Sequence, residues 1–154
     1  MEYNSQAPIT AGSYSKVKAD KKILADAAFG YYICKEIGRN DAGQTVVVKN
    51  NSIMAVEAFE GRLDAISRGC HFANGKAVIV ISGKHSKSDE NLNPLIDLSL
   101  LKYAVECGSK AVALEAEKVS VLNIKECMNY AVKSGLVFFA FNGTDLLKYM
   151  KKGS

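Results

Sequence analysis

The sequence predicts an α/β domain, a single three-layer-like unit with a mixed, partly parallel sheet and β-hairpins. Two patterns predict it. Runs with no polar residue, such as Ala77 to Ile81 and Val137 to Phe141, are strands covered on both faces. Apolar stripes spaced three and four residues apart alternate with those runs and mark helices. A third observation sets the scale: 154 residues, 48% hydrophobic and 23% charged, suffice for one core that needs no disulfide or metal staple.

The first twenty residues are polar, with Pro8 and Gly12, and read as a flexible tail or linker, which leaves 21–150 as the domain. Asp20 is an N-cap candidate; Ile23, Ala27, Gly30, Cys34 and Ile37 then form one helical stripe that Gly38 ends. Thr45 to Lys49, the turn Asn50-Asn51-Ser52, and Ile53 to Ala58 read as a hairpin. Gly61 to Gly69 has helical composition, and Ala77 to Ile81 is a strand. Ser82 to Asn93 is a polar loop closed by Pro94. Leu98, Leu101 and Val105 mark a helix ending at Gly108; Ala111 to Leu114 and Val119 to Leu122 are short strands. Ile124, Cys127, Met128 and Ala131 form a further stripe closed by Gly135. Val137 to Phe141 is the last strand, and Asp145 to Met150 a terminal helical turn.

Several classes of function lose their warrant. Twenty basic against sixteen acidic residues leave +4, scattered rather than clustered, so no nucleic-acid partner is expected. No apolar run approaches the ~20 residues of a membrane span, and the opening MEYNSQAPIT lacks the pattern of a signal peptide. A cytoplasmic chain is expected, with peripheral contact to a membrane left open. Cys34, Cys70, Cys107 and Cys127 contain no C-x-x-C pair and read as buried thiols in a reducing compartment. Dinucleotide, P-loop, zinc-protease and nucleophile-elbow motifs are all absent.

In open α/β sheets, ligands bind outside the carboxyl ends of the strands. That rule singles out Glu57 to Gly61, Ser82 to Asn93 and Glu115 to Lys118. Glu57, Glu60 and Glu115 at strand ends suit Mg²⁺ or a water aimed at phosphate; the alternative is that they are solvated strand ends or helix N-terminal acids. Lys84, at the exit of a strand, suits a phosphate, and the loop behind it suits an anion-binding lid or a bare surface loop.

The stretch from Asp41 to Gly61, DAGQTVVVKNNSIMAVEAFEG, is more specific. It resembles the opening of the C-terminal domain of the LpxI-type UDP-2,3-diacylglucosamine pyrophosphatases, with the pattern D-x-G-Q-x-V-V-V, a turn, and A-V-E-A-x-E-G-T-D. The helix through Asp26 to Gly38, the strand AVIVISGK ending at Lys84, Pro94, and VALEA around Glu115 fall in the same register. The resemblance implies a cytoplasmic step of lipid A assembly: Mg²⁺-dependent hydrolysis of UDP-2,3-diacylglucosamine to UMP and 2,3-diacylglucosamine 1-phosphate, by a chain that self-associates as a homodimer. It assigns Glu57 and Glu60 to catalysis and Gln44, Lys84 and Glu115 to substrate or phosphate, with the metal ligands unassigned; Asp89 joins the catalytic candidates as a loop carboxylate that would take over a lost acid's role.

The departures from the pattern bear on activity. The Thr and Asp expected after Glu60-Gly61 are Arg62 and Leu63. In the loop, His85, Lys87, Ser88, Asp89 and Leu92 stand where the pattern has Pro, Gln, Asp, Arg and Asp. These changes predict weak or absent turnover of the family substrate. The alternative is then a non-catalytic domain that keeps the fold to oligomerise or to bind a partner or nucleotide ligand.

Overall fold

The computed structural model describes residues 6–37, 44–83 and 93–151. Gly38, Asp41, Lys84 and Asp89, each singled out above, lie outside the described residues, as do residues 84–92 as a whole.

The chain runs β1 (Gln6–Pro8), β2 (Gly12–Ser13), α1 (Lys21–Ile37), β3 (Gln44–Lys49), β4 (Ser52–Val56), α2 (Arg62–Ala73) and β5 (Val78–Ser82). It continues through β6 (Leu95–Ile96), α3 (Leu98–Glu106), β7 (Ala111–Glu115), β8 (Ser120–Leu122), α4 (Ile124–Ser134), β9 (Val137–Phe141) and α5 (Gly143–Leu147). Six strands form the main sheet in the order β2-β9-β7-β5-β3-β4. Its centre, β5, β7 and β9, is parallel; β3 and β2 run antiparallel to their neighbours, and β4 completes a hairpin with β3. The sheet is therefore mixed and partly parallel, as expected.

Alternation along the strands divides the core in two. Val47, Ile79, Ile81, Val112, Leu114 and Phe138 pack beneath α2, α3 and α4. Val46, Val48, Val80, Ala113 and Phe139 pack beneath α1 and α5. Three layers follow, with the strand residues of β5, β7 and β9 all buried.

Local signals hold well. Asp20 caps α1, its Oδ1 accepting the Ile23 N–H at 2.8 Å. Asn50 and Asn51 both have positive φ, 51° and 61°, the primed turn a tight hairpin requires. Asp26, 4% exposed, accepts both turn amides, from Asn51 at 2.7 Å and Asn50 at 3.1 Å, and so fastens α1 to the hairpin.

Residues 6–13 differ from the expected tail. β1 pairs with β8, and β2 pairs with the edge of β9. Ile9, between them, is 4% exposed and exchanges backbone bonds with Val119 and Glu117. The segment is polar because each strand is only two or three residues long; its backbone carries the pairing and a single apolar side chain the burial. With β6, β1 and β8 make a second sheet of three strands. α2 also extends beyond Gly69, to Ala73, where Asn74 closes it in the left-handed conformation.

α2 lies directly on the sheet at Gly69. A Cβ there would stand 2.5 Å from Val47 Cβ, on a branched side chain that cannot swing away. Gly69→Ala should therefore lower stability: overpacking costs about 1–3 kcal/mol, which exceeds the ~1 kcal/mol that alanine returns in helix propensity. Urea denaturation would show a lower midpoint at unchanged slope.

Candidate functional site

The register brings the strand-end regions singled out in the sequence to one edge of the sheet. Gln44 opposes Ser82, Ile81 opposes Leu114, Glu115 opposes Phe141, and Val46 opposes Val56. The carboxyl ends of β4, β5, β7 and β9 thus meet the start of β3. Beyond β5 and β7, Gly83 packs on Lys118: a Cβ on Gly83 would lie 2.5 Å from the Lys118 carbonyl oxygen.

Glu115 is 9% exposed, and both of its oxygens are engaged. Oε2 accepts the Tyr31 hydroxyl at 2.9 Å, and Oε1 accepts the Gly83 N–H at 2.9 Å. Tyr31 is fixed in turn by the edge of Phe141, with ring centroids 5.1 Å apart. Burial first, and then the Glu115 charge, push the Tyr31 hydroxyl above the ordinary phenol range. The sequence reading missed Tyr31. The available signal is a tyrosine four residues after Ala27 and three before Cys34, inside the apolar stripe, where a buried hydroxyl needs a partner.

Gln44, 3% exposed, donates from Nε2 to the Glu57 carbonyl at 2.6 Å and so ties the start of β3 to the chain leaving β4. It acts as a clamp between strands. Glu57 is half-buried, and its Oε1 is buried with no hydrogen-bond partner among the described residues. Glu60 Oε1 accepts the Ala58 N–H at 2.6 Å, and its Oε2 meets Arg68 at 3.0 Å. The Ala58 amide and the Arg68 charge hold the Glu60 carboxyl below its usual range. Arg68 also donates to the Val56 carbonyl at 3.0 Å, so Glu60 and Arg68 secure the end of β4.

Arg62 opens α2, after Gly61, whose φ is +94° and which supplies no side-chain cap. Its guanidinium is half-buried and donates from Nε to Thr45 Oγ1 at 3.3 Å. Burial lowers its pKa, an effect that the Glu57 charge opposes. Cys34 lies across the sheet from Arg62, with Sγ 3.9 Å from the Gln44 carbonyl oxygen.

The donor set bears on the expected Mg²⁺. This ion takes six oxygens in near-ideal octahedral geometry, usually one or two carboxylates with waters and phosphate. Among the described residues no three His, Cys, Asp or Glu side chains gather. Glu115 and Glu60 each accept one donor on both oxygens, and Glu57 has a buried oxygen without a partner among the described residues.

Two expected outcomes check this geometry. Tyr31→Phe removes one of the two donors to a buried carboxylate and should cost about 1–3 kcal/mol in chemical denaturation. Alkaline pH should also destabilise the fold through its thiols. Burial pushes Cys34 up to about 12, and Cys70 and Cys127 each up to about 11, from an ordinary 9.0. Because the folded values are raised, the unfolded chain loses these protons first. The stabilisation is complete below pH 9.0 and is lost as pH climbs through about 11 to about 12. Replacing all three thiols by alanine should flatten that decline in urea midpoints measured across the range.

Among curated proteins, none matches this chain. The sequence profile of the LpxI C-terminal domain matches residues 10–139. The matched span includes Tyr31, Gln44, Glu57, Glu60, Gly83 and Glu115, all of the site except the Phe141 end of β9. The chain belongs to the LpxI C-terminal domain family, a family of lipid A biosynthesis.

Proposed function

We propose that the chain binds the diphosphate-bearing end of a UDP-sugar lipid at the carboxyl edge of the sheet and hydrolyses it slowly or not at all. The supporting observation is the engagement of the candidate acids. Glu115 is held by Tyr31 and Gly83, and Glu60 by Arg68 and Ala58, so each carboxylate already ties elements of the fold together. Diphosphate hydrolysis needs charge neutralisation and a positioned nucleophile. These two carboxylates serve as ties between elements, a role that preserves a ligand-binding edge without supplying either requirement.

The second reading keeps Mg²⁺-dependent hydrolysis to UMP and 2,3-diacylglucosamine 1-phosphate. The partnerless Oε1 of Glu57 favours it, with Asp89 and Lys84 contributing from outside the described residues. Self-association belongs to the same proposal; Phe59, Leu63 and Phe72 lie exposed around the β4–α2 connection and along α2. Among the described residues no helix is long and apolar enough to cross a membrane, so contact with a lipid ligand would be made from the surface.

UMP release from UDP-2,3-diacylglucosamine with Mg²⁺ separates the two readings, run beside Glu57→Gln and Asp89→Asn. The expected result is stabilisation of the fold by UDP with little or no UMP release. Mg²⁺-dependent turnover abolished by either substitution would sink the binding-only reading and establish the hydrolase.

A further inference from the structure

Among the described residues, Arg62 is a group at this edge whose surroundings do not pair its charge. Its guanidinium is half-buried, and its described contact is a 3.3 Å bond to a neutral hydroxyl, that of Thr45. The ion pair among the described residues, Arg68 with Glu60, lies elsewhere on α2, so no described carboxylate comes within 4.0 Å of Arg62. Glu57 is the acid whose charge reaches it, from beyond that distance. Part of the guanidinium is withdrawn from water with one long hydrogen bond in return, while its terminal N–H groups stay open to solvent. Partial burial of a charge on those terms carries some cost.

The position gives that cost a use. Arg62 follows β4 directly, and Thr45, beneath it, stands one residue along β3 from Gln44, opposite Ile81 at the end of β5. A ligand over the carboxyl ends of β4 and β5 would come within reach of that guanidinium. The chemistry a planar, permanently charged fork recognises best is a carboxylate or a phosphate, bound through two parallel N–H···O bonds. Glu115, Glu57 and Glu60 repel any anion at this edge, so a phosphate ligand would depend on the local, directional bonds of the guanidinium fork.

We propose that Arg62 is the specificity-determining residue for phosphate at this edge, taking the diphosphate oxygens of the ligand on its guanidinium; this rests on the ligand-binding reading above.

Isothermal titration of the full chain with inorganic pyrophosphate and, separately, with UDP tests the assignment, using wild type, Arg62→Gln, Arg62→Lys and the exposed-charge control Lys133→Gln. Wild type and Lys133→Gln should bind both ligands. Arg62→Gln should bind both at least about tenfold more weakly, and Arg62→Lys should fall between, since a point charge replaces the fork. The ligand-free melting midpoint of Arg62→Gln should stay close to that of wild type, because the fold loses only the 3.3 Å bond to Thr45. A structural Arg62 would give the reverse, a lower midpoint with affinity intact, and would overturn the proposal.

The two readings fail separately. Pyrophosphate binding through Arg62 without UDP binding supports the residue assignment and removes the nucleotide ligand. Wild type binding UDP with Arg62→Gln indistinguishable from it removes the assignment and leaves the nucleotide. Wild type binding neither removes both. Should Arg62→Gln fail to fold, Arg62→Lys decides alone: weakened binding supports the proposal and full affinity overturns it.

Discussion

The depth at which α1 and α2 sit on the sheet governs everything at its carboxyl edge. Two glycines set that depth. A Cβ on Gly30 would come within 2.7 Å of Val80 Cγ2, and one on Gly69 within 2.5 Å of Val47 Cβ, so each helix rests its backbone on the strand side chains. Consequences follow along each helix axis. Tyr31 is the next residue after Gly30, and Cys34 comes one turn later; both point at the sheet because α1 is close enough for short side chains to reach. Arg62 lies two turns before Gly69, about 10 Å along the axis, and is drawn over Thr45 by the same close approach. Raise either helix by a methyl group, and the hydroxyl-to-carboxylate bond on one face or the guanidinium-to-hydroxyl bond on the other is lost.

Within that frame, Glu115 is an electrostatic oddity with a structural explanation. A carboxylate buried at the end of a central strand would ordinarily have a cation beside it. Here two neutral donors hold it, one from α1 and one from the residue following β5. Hydrogen bonds to a charged acceptor are stronger than neutral ones, so the pair joins three separate elements at one point. It also fixes the direction in which the chain leaves β5. The site's geometry and the fold's stability are here the same two bonds.

How much of this is legible in the sequence depends on the physical scale of each signal. Strands of five or six apolar residues and helices of two turns or more repeat their pattern often enough to be read, and the three-layer architecture follows from their alternation. β1, β2 and β6 have two or three residues each and gain their stability from backbone pairing, which leaves no trace in composition. The edge of the sheet is legible for a topological reason: β4, β5 and β7 all end there, so the acids at their ends converge. Their roles are not legible, because a carboxylate reads alike whether it faces a ligand, as an oxygen of Glu57 does in the proposed function, or a backbone amide, as Glu60 and Glu115 do. Tyr31 is hidden differently: it looks ordinary in its own segment and acquires meaning only from a residue far away in the chain. Arg62 stands out in the sequence as a departure from the family pattern, and its contact with Thr45 needs the fold.

The proposed function fits the way charge is distributed at this edge. Acids that catalyse phosphate chemistry must leave oxygens free, and they pay for that freedom in folding stability. Glu60 and Glu115 show the opposite arrangement, each oxygen met by a donor and each bond joining elements of the fold. The groups left with unmet capacity are Glu57, through one oxygen, and Arg62, through most of its fork. They are of opposite sign and lie beyond ion-pair distance of one another, although closing that gap would relieve both. A pair held apart in this way is prepared for something placed between or beside them, with oxygens for the guanidinium and either a proton or a cation for the carboxylate. A diphosphate group meets the first of those conditions, and a hydrated sugar or nucleoside hydroxyl attached to it meets the second.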